Sequence, residues 1–477
     1  MKQKLVMLLS LFSLICATAF AQTATYTGTA LVGDQPPAPR SYDSYGDHIA
    51  ANDDWLMVSA PREDVDFDND GISRAQGDQD VGVIYIYRRT SNGPAFHSKI
   101  EGQGNNVNPN TQGDRFGAGI VLQGNTMFVG AANDDDFPGL IDPTGGDFRF
   151  AGKVYVFNYD VTVDEWVLVQ KLISDAPNSL ASFGARTDSS HMELFSFGQP
   201  EPTIALIGER QGNQPDIAAK LHVFKRKEND ALWERVQIAR APSATTFARF
   251  ADKVEGVGNF ALVTESEINP YPEPSPSAVH VYRIGPNGIK KTNNQLIPIQ
   301  TLYRPSELVD PVDCDVEFGQ GLSAANGIAA IGDSCDDTVG NNAGAVHVYT
   351  IDNSGNNDTL TLSQTLPNPS AMAGSFFGTN FGNGKQTIST DGNLIVVGTA
   401  NFRGPGPFQI NVELFARDDS GTFFLADSIP SPIPGVFDEE EYGQAVQLLG
   451  NDELAISQGS DGTLEIVSGL VFLFDIL

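Results

Sequence analysis

Short runs in which hydrophobic and polar residues alternate recur along this chain. The runs KVYVF at 153–157 and EWVLVQKL at 165–172 are rich in β-branched and aromatic residues, and Gly-Asn or Asn-Gly turns separate many such runs. A period of two places successive side chains on opposite faces of a strand, and these dipeptides close hairpins. With 48 Gly and 28 Pro in 477 residues, the pattern predicts many β-strands and excludes long helical bundles.

One unit, built from two halves, recurs seven times. The first half is an aromatic residue followed by Gly or Ala, a short turn and an apolar run ending in small residues, as in FGAGIVLQGNTMFVGAA and FGQGLSAANGIAAIGD. The second half is a β-branched and aromatic strand, as in GVIYIY, GKVYVF and GAVHVY. Self-similarity at a fixed period indicates stacked supersecondary units, each of which needs its neighbours to bury its apolar faces.

The copies are spaced 59 to 71 residues apart, which leaves room for four strands each. They begin at Tyr45, Phe116, Phe183, Phe250, Phe318, Phe377 and Tyr442. A four-stranded sheet buries neither face alone, whereas radial stacking covers both faces of every sheet. We therefore expect an all-β fold, a single seven-bladed β-propeller of four-stranded blades. In it the aromatic residues wedge between blades and the following Gly permits close backbone approach.

The two ends of the chain carry fragments that together make one blade. The seventh copy ends at Leu477, after its third strand, GLVFLF. A strand without a copy of its own, TYTGTALV at 25–32, precedes the first aromatic-Gly pair. We expect this N-terminal strand to complete the last blade as its outermost strand and so to close the ring.

The ordered pair of motifs, Phe-Gly followed by Val-Gly-Ala or Ser-Ala-Pro, resembles the FG-GAP repeat. It is clearest at Tyr45-Gly46 with Ser59-Ala60-Pro61, and at Phe116-Gly117 with Val129-Gly130-Ala131. The repeat is that of the integrin α-subunit propeller and of secreted bacterial proteins, and the resemblance spans nearly the whole mature chain. It implies calcium binding and protein-protein or adhesive recognition.

The N-terminus has the pattern of a secretory signal peptide. Lys2 and Lys4 precede an apolar run at 5–16, and Ala19-Phe20-Ala21 provides a small-x-small cleavage site. Cleavage would leave a propeller domain at 22–477, and no later segment approaches the ~20 apolar residues of a membrane span. We expect a monomeric protein that is secreted, periplasmic or at the cell surface.

Acidic side chains dominate the composition. With 60 Asp and Glu against 29 Lys and Arg, the formal net charge is −31, and loss of Lys2 and Lys4 with the leader would make it −33. A nucleic-acid surface needs clustered basic residues, so nucleic acid is excluded as a partner. Two cysteines remain beyond the leader, Cys314 and Cys335. Both are predicted at one edge of the fifth blade, where an oxidising compartment would favour a disulfide over two free thiols.

A D-x-D-x-D-G run, Asp66, Asp68 and Asp70 followed by Gly71, is predicted in the loop between strands two and three of the first copy. Alternate carboxylates on a tight turn converge on one hard cation, which makes this a candidate calcium site. The run lacks the bidentate Glu of an EF-hand loop. A solvated acidic loop in an acidic protein is the alternative.

Acidic residues also occupy the equivalent loops of two other copies: Asp134, Asp135 and Asp136 in the second, Asp336 and Asp337 in the fifth. A face lined with carboxylates favours cations or basic partners, whereas solubilising charge is the alternative. His222, His280 and His347 recur at one position of strand three and are interpreted as packing residues rather than metal ligands.

No nucleophile elbow, zinc-protease motif or phosphate loop is present in the sequence. The leading hypothesis is therefore an exported binding or adhesion module that recognises a protein or glycan, with calcium ordering a loop. The alternative is an extracellular polysaccharide hydrolase or lyase that uses acids on the same face.

Overall fold

The computed structural model describes residues 22–33, 44–65, 80–102, 113–137, 150–177, 179–186, 189–210, 219–228, 230–242, 248–267, 277–305, 318–352, 359–370, 374–379, 386–398, 411–433, 442–459 and 469–477. Regular structure in these ranges is entirely β, and they contain no helix that could cross a membrane.

The described strands form seven blades, as the repeat predicts. From the first strand outwards, the strands of blades one to three are β2 (Ile49–Ala51), β3 (Trp55–Ala60), β4 (Val83–Thr90) and β5 (Gly93–Glu101); β6 (Phe116–Gln123), β7 (Thr126–Ala131), β8 (Lys153–Asp160) and β9 (Glu165–Leu172); and, after a small hairpin of β10 (Ala185–Arg186) and β11 (Ser189–Ser190), β12 (Met192–Phe195), β13 (Ile204–Glu209), β14 (Lys220–Arg226) and β15 (Trp233–Arg240).

The remaining blades follow the same order. Their strands are β16 (Ala248–Val257), β17 (Phe260–Glu267), β18 (Ala278–Gly285), β19 (Gly288–Ile289) and β20 (Gln300–Tyr303) in blade four; β21 (Phe318–Ala325), β22 (Ile328–Asp333), β23 (Ala345–Asp352) and β24 (Thr359–Pro367) in blade five; β25 (Ile388–Thr390), β26 (Leu394–Val397), β27 (Asn411–Arg417) and β28 (Phe423–Pro430) in blade six; and β29 (Tyr442–Gly450), β30 (Glu453–Gln458), β31 (Leu470–Ile476) and β1 (Ala24–Val32) in blade seven.

The ring closes between the two ends of the chain, and the predicted strand exchange is confirmed. β1 pairs antiparallel with β31, with Thr25 opposite Asp475 and Leu31 opposite Val471. The N–H of Thr23 donates to the carbonyl of Leu477 at 3.1 Å, and the N–H of Leu477 donates back at 2.8 Å. The seventh blade therefore takes its outermost strand from the N-terminal end.

The apolar core is divided among the seven contacts between neighbouring blades. Seven clusters of buried side chains each draw on two consecutive blades, and the one joining blades seven and one contains Leu31, Tyr45 and Val471. Each blade thus covers both of its faces only by contact with two neighbours.

The aromatic residue that opens each repeat lies at such a contact, and all seven are at most 2% exposed. The N–H of Phe116 donates to the carbonyl of Val81 in the preceding blade at 2.9 Å. Gly82, which follows Val81, has a φ of +87°, and a Cβ there would lie 2.1 Å from the carbonyl oxygen of Phe116. Glycine is required because the two backbones touch.

The sequence pattern predicts that strand one begins at the aromatic-Gly pair, and this is not true of every blade. In blade three, β12 begins nine residues after Phe183, because the hairpin of β10 and β11 intervenes. In blade six, β25 begins at Ile388, eleven residues after Phe377. In these two copies the aromatic residue is still buried between blades, so its packing role does not depend on strand pairing.

Two faces of the ring are distinguished below. The loop face carries the connections from strand two to strand three and from strand four to the next blade. The turn face carries the connections from strand one to strand two and from strand three to strand four, such as Gly124-Asn125.

Candidate functional site

Buried carboxylates lie beside strand three, towards the loop face, in five consecutive blades. Each is at most 8% exposed, and each contacts the side chain at the third position of strand three. The pairs are Glu63 with Tyr85, Asp134 with Tyr155, Glu209 with His222, Glu265 with His280, and Asp333 with His347.

The position of the carboxylate in the repeat depends on its partner. Beside a tyrosine, in blades one and two, it lies three residues after strand two ends. Beside a histidine, in blades three to five, it lies on strand two itself, opposite the first residue of strand three. The longer tyrosine reaches a carboxylate in the loop, whereas the shorter histidine needs one within the sheet.

In the tyrosine pairs, the carboxylate oxygens accept hydrogen bonds from side chains of the same blade. The hydroxyl of Tyr85 lies 2.8 Å from both carboxylate oxygens of Glu63. The hydroxyl of Tyr155 donates to Oδ2 of Asp134 at 2.7 Å, and Lys153 Nζ donates to Oδ1 of the same group at 2.6 Å. Both oxygens of Asp134 are therefore engaged inside the protein, which offsets the cost of its burial.

The three histidines are buried and contact neighbouring side chains of their own blades, which is consistent with the predicted packing role. Nε2 lies 2.7 Å from Glu209 for His222 and 2.6 Å from Glu265 for His280. The ring of His222 meets the aromatic residue that opens its own repeat, Phe183, at a centroid distance of 5.2 Å. His222 thus connects the aromatic residue that opens its repeat to the end of strand two.

Two of these groups have the composition of a metal site, namely Asp175, Glu209 and His222, and Asp333, Asp336 and His347. Each already contains a cationic side chain. Lys220 Nζ lies 2.7 Å from Asp175 and 3.4 Å from Glu209, and Arg304 Nε lies 2.9 Å from Asp333. These cations balance the carboxylates within the fold.

The predicted binding residues differ in their accessibility. Asp134 and Asp336 are 1% and 2% exposed. Asp135 and Asp337 are half-buried, and Asp136 is exposed. The carboxylates that a ligand could reach without rearrangement are therefore those of Asp135, Asp136 and Asp337.

Three predicted residues of the calcium loop, Asp66, Asp68 and Asp70, lie outside the described residues, as does Cys314. Cys335 is described and is 5% exposed. Next to the acidic run, the N–H of Asp80 donates to Oδ1 of Asp64 at 3.0 Å, which brings the two ends of that segment together. The calcium site and the disulfide both stay predictions.

Asp114, at the entry to blade two, gives a testable pH dependence. Burial raises the pKa of its carboxyl to about 8, and the nearby carboxylates of Asp134 and Asp135 add to the shift. An aspartic acid in the unfolded chain has a pKa near 3.8. Between these values the folded chain binds more protons, so the free energy of unfolding falls as pH rises from about 4 to 8.

We therefore expect Asp114→Asn to raise the free energy of unfolding at pH 8 by on the order of 1 kcal/mol and to leave it nearly unchanged at pH 4. Urea denaturation midpoints at both pH values measure the difference. The exposed Asp419→Asn is the matched control. Parallel pH profiles for Asp114→Asn and the wild type would contradict the assignment.

A polar cavity of about 230 Å³ lies at the centre of the ring, lined by strand one of several blades. Three charged residues of blades three and four line it, namely Glu193 on β12 and Lys253 and Glu255 on β16. Burial raises the pKa of Glu255 to about 7 and lowers that of Lys253 to about 8. Burial and the neighbouring Glu255 raise the pKa of Glu193.

Sequence reasoning missed this cavity, although a signal exists. Lys253 and Glu255 are two residues apart on a predicted strand one, and they therefore share one face of it. The corresponding segments GIVLQ and GLSAA in two other copies contain no charged residue. Charges at positions where these two copies carry none indicate that the segment does more than pack against its neighbours.

No protein-family model matches the chain, and no curated protein matches it. Among solved structures, a protein from Lactobacillus plantarum matches with 10% identity and a TM-score of 0.43, covering 84% of this chain and 87% of its own. Sqt1 from Saccharomyces cerevisiae matches with 10% identity and a TM-score of 0.40, covering 94% of this chain and 100% of its own. At these values neither likeness bears on family or activity. The fold rests on this chain's own strand pairing, and its relation to the FG-GAP family stays a prediction.

Proposed function

We propose that this protein is an exported, integrin-α-like binding module that recognises an extracellular protein or glycan on its loop face. The observation that carries the proposal is that some acids of that face are buried and paired, whereas others are exposed to solvent. The buried carboxylates of five blades are engaged with tyrosine, histidine or basic side chains, whereas Asp135, Asp136 and Asp337 retain exposed surface. A rigid ring with accessible acids along one face favours partners that present basic or hydroxyl groups.

The proposal includes one bound calcium ion. We infer that Asp66, Asp68 and Asp70 hold one calcium ion and thereby order part of the loop face, because carboxylates on alternate residues are suited to a hard cation. The contact between Asp64 and Asp80 supports the proposal, since it fixes the ends from which that segment departs.

A binding screen tests the proposal. Immobilised extracellular proteins and glycans are probed with the mature protein in calcium and in chelator, and each ligand found is titrated against two variants. The first carries Asn at Asp135, Asp136 and Asp337. The matched control carries Asn at Asp53, Asp54 and Asp419, which are exposed on the turn face and give the same change in net charge.

We expect the loop-face variant to bind at least about tenfold more weakly and the turn-face control to change less than about twofold, because local charge at the contact dominates over distant charge. Equal losses in both variants would show that recognition is not on the loop face. Breakdown of a polysaccharide by the purified protein would instead support a hydrolase or lyase.

A further inference from the structure

The central cavity differs from the carboxylate pairs near the loop face because its lysine and its two glutamates form no ion pair with another described residue. Its titratable lining groups are His48, Glu193, Lys253 and Glu255, contributed by blades one, three and four. The rest of the lining is apolar, amide or hydroxyl, and includes Ile120, Gln386 and Ser190. The site is separate from the proposed loop-face function.

Lys253 is the clearest case. Three lysines in the described part of the chain are buried: Lys153, Lys220 and Lys253. The first two have carboxylate oxygens at 2.6 and 2.7 Å. Among the residues that the structure describes, the ammonium group of Lys253 makes no hydrogen bond or ion pair, although the residue is only 7% exposed and lines the cavity. Glu255, two residues along the strand, attracts this ammonium group, but burial of an ammonium group without a hydrogen-bonded partner is still costly.

Glu193 and Glu255 present carboxylates to the same cavity from neighbouring blades. Oε1 of Glu193 lies 3.0 Å from where a Cβ would stand on Gly256, the residue after Glu255. Neither glutamate forms an ion pair with another described residue. The two carboxylates repel each other, and Glu255 also feels the opposite charge of Lys253. A positive charge placed between them would relieve that repulsion.

We propose that this cavity binds a small zwitterion of the amino-acid class, with its carboxylate at Lys253 and its ammonium group between Glu193 and Glu255. Both charges of such a ligand find the opposite charge, and the apolar lining at Ile49 and Ile120 accommodates its carbon chain. About 230 Å³ is below the roughly 300–1,000 Å³ of sites for drug-sized ligands, which favours a ligand of this size.

The proton affinities of the site are consistent with the same ligand. Burial raises the pKa of Glu255 to about 7 and lowers that of Lys253 to about 8. A bound ammonium group favours the ionised carboxylates, and a bound carboxylate favours the charged lysine. Binding near pH 7 is therefore expected to release protons from the glutamates, which calorimetry in buffers of different ionisation enthalpy measures.

Titration calorimetry with L-leucine, 3-methylbutylamine and 4-methylpentanoate tests the proposal, since the latter two are leucine without its carboxylate and without its ammonium group. We expect leucine to bind at least tenfold more tightly than either. 6-Aminohexanoate in a parallel titration distinguishes an α-amino acid from a zwitterion with widely separated charges.

Two variants test which side chain binds which charged group of the ligand. Lys253→Met is expected to weaken leucine at least tenfold while leaving 3-methylbutylamine unchanged, and Glu193→Gln is expected to weaken both. Lys227→Met, at an exposed position that does not line the cavity, is the control, and melting curves identify any variant that does not fold. Equal affinities for leucine and its two analogues, or no binding of leucine or 6-aminohexanoate to the folded wild type, would overturn the proposal.

Discussion

Removal of β1 from the mature chain is expected to lower the free energy of unfolding by roughly 3–5 kcal/mol, because the last blade loses its outer strand and the apolar side chains that strand buries. Leu31 lies in the cluster that joins blades seven and one, and Tyr26 packs 5.7 Å from the rings of both Phe472 and Phe474. The N–H of Ala24 also donates to Asp427 of blade six at 2.9 Å. Urea denaturation of the truncated and full mature chains measures the loss.

Two further comparisons make this test specific to ring closure. A peptide with the sequence ATYTGTALV, added to the truncated protein, is expected to restore part of the lost stability, and a scrambled peptide is not. Within the full chain, Leu31→Ala is expected to cost about 2–4 kcal/mol and Val32→Ala less than about 1, because Leu31 is 8% exposed and Val32 is 44% exposed. A truncated chain as stable as the full one would contradict strand exchange.

The second large effect is expected at the contact between consecutive blades. Gly82→Ala should lower the free energy of unfolding by roughly 3–5 kcal/mol, since it combines an unfavourable φ with a backbone clash. The φ of Gly82 is +87°, and the new Cβ would lie 2.1 Å from the carbonyl oxygen of Phe116. The first and second blades would have to separate to admit the methyl group.

Gly93→Ala is the matched control for this substitution. Gly93 has a φ of +96° but nothing within 4 Å of its Cβ position. The variant is therefore expected to lose only the conformational contribution to the free energy of unfolding, about 1 kcal/mol. Thermal and urea denaturation of both variants measure the difference. Equal losses would mean that backbone conformation alone, and not contact between blades, requires glycine at position 82.

These two expectations concern the same property of the fold. No blade buries its own faces, so stability depends on what each blade places against the next one. The aromatic residues that open the repeats fill those contacts, and the glycines before strand three let the next blade approach. A defect at one contact is therefore expected to weaken the whole ring, because a broken contact leaves apolar faces of two blades exposed.

The sequence predicted the parts of the structure that depend on local pattern and repetition. Alternation gave the strands, recurrence of the aromatic-Gly pair gave seven blades, and the unpaired strand at 25–32 gave the closure that the pairing of β1 with β31 confirms. Seven copies of a weak pattern reinforce one another, so the fold could be predicted although single strand boundaries in blades three and six were not.

Tertiary structure alone decided which charged residues are available. Asp134 and Asp136 are two residues apart and look alike in the sequence, yet Asp134 is enclosed by Lys153 and Tyr155 while Asp136 is exposed. Glu193 and Lys253 are 60 residues apart and share a cavity because strand one of blade three and strand one of blade four both face it. Burial and charge pairing depend on contacts between distant segments, and no local pattern encodes those contacts.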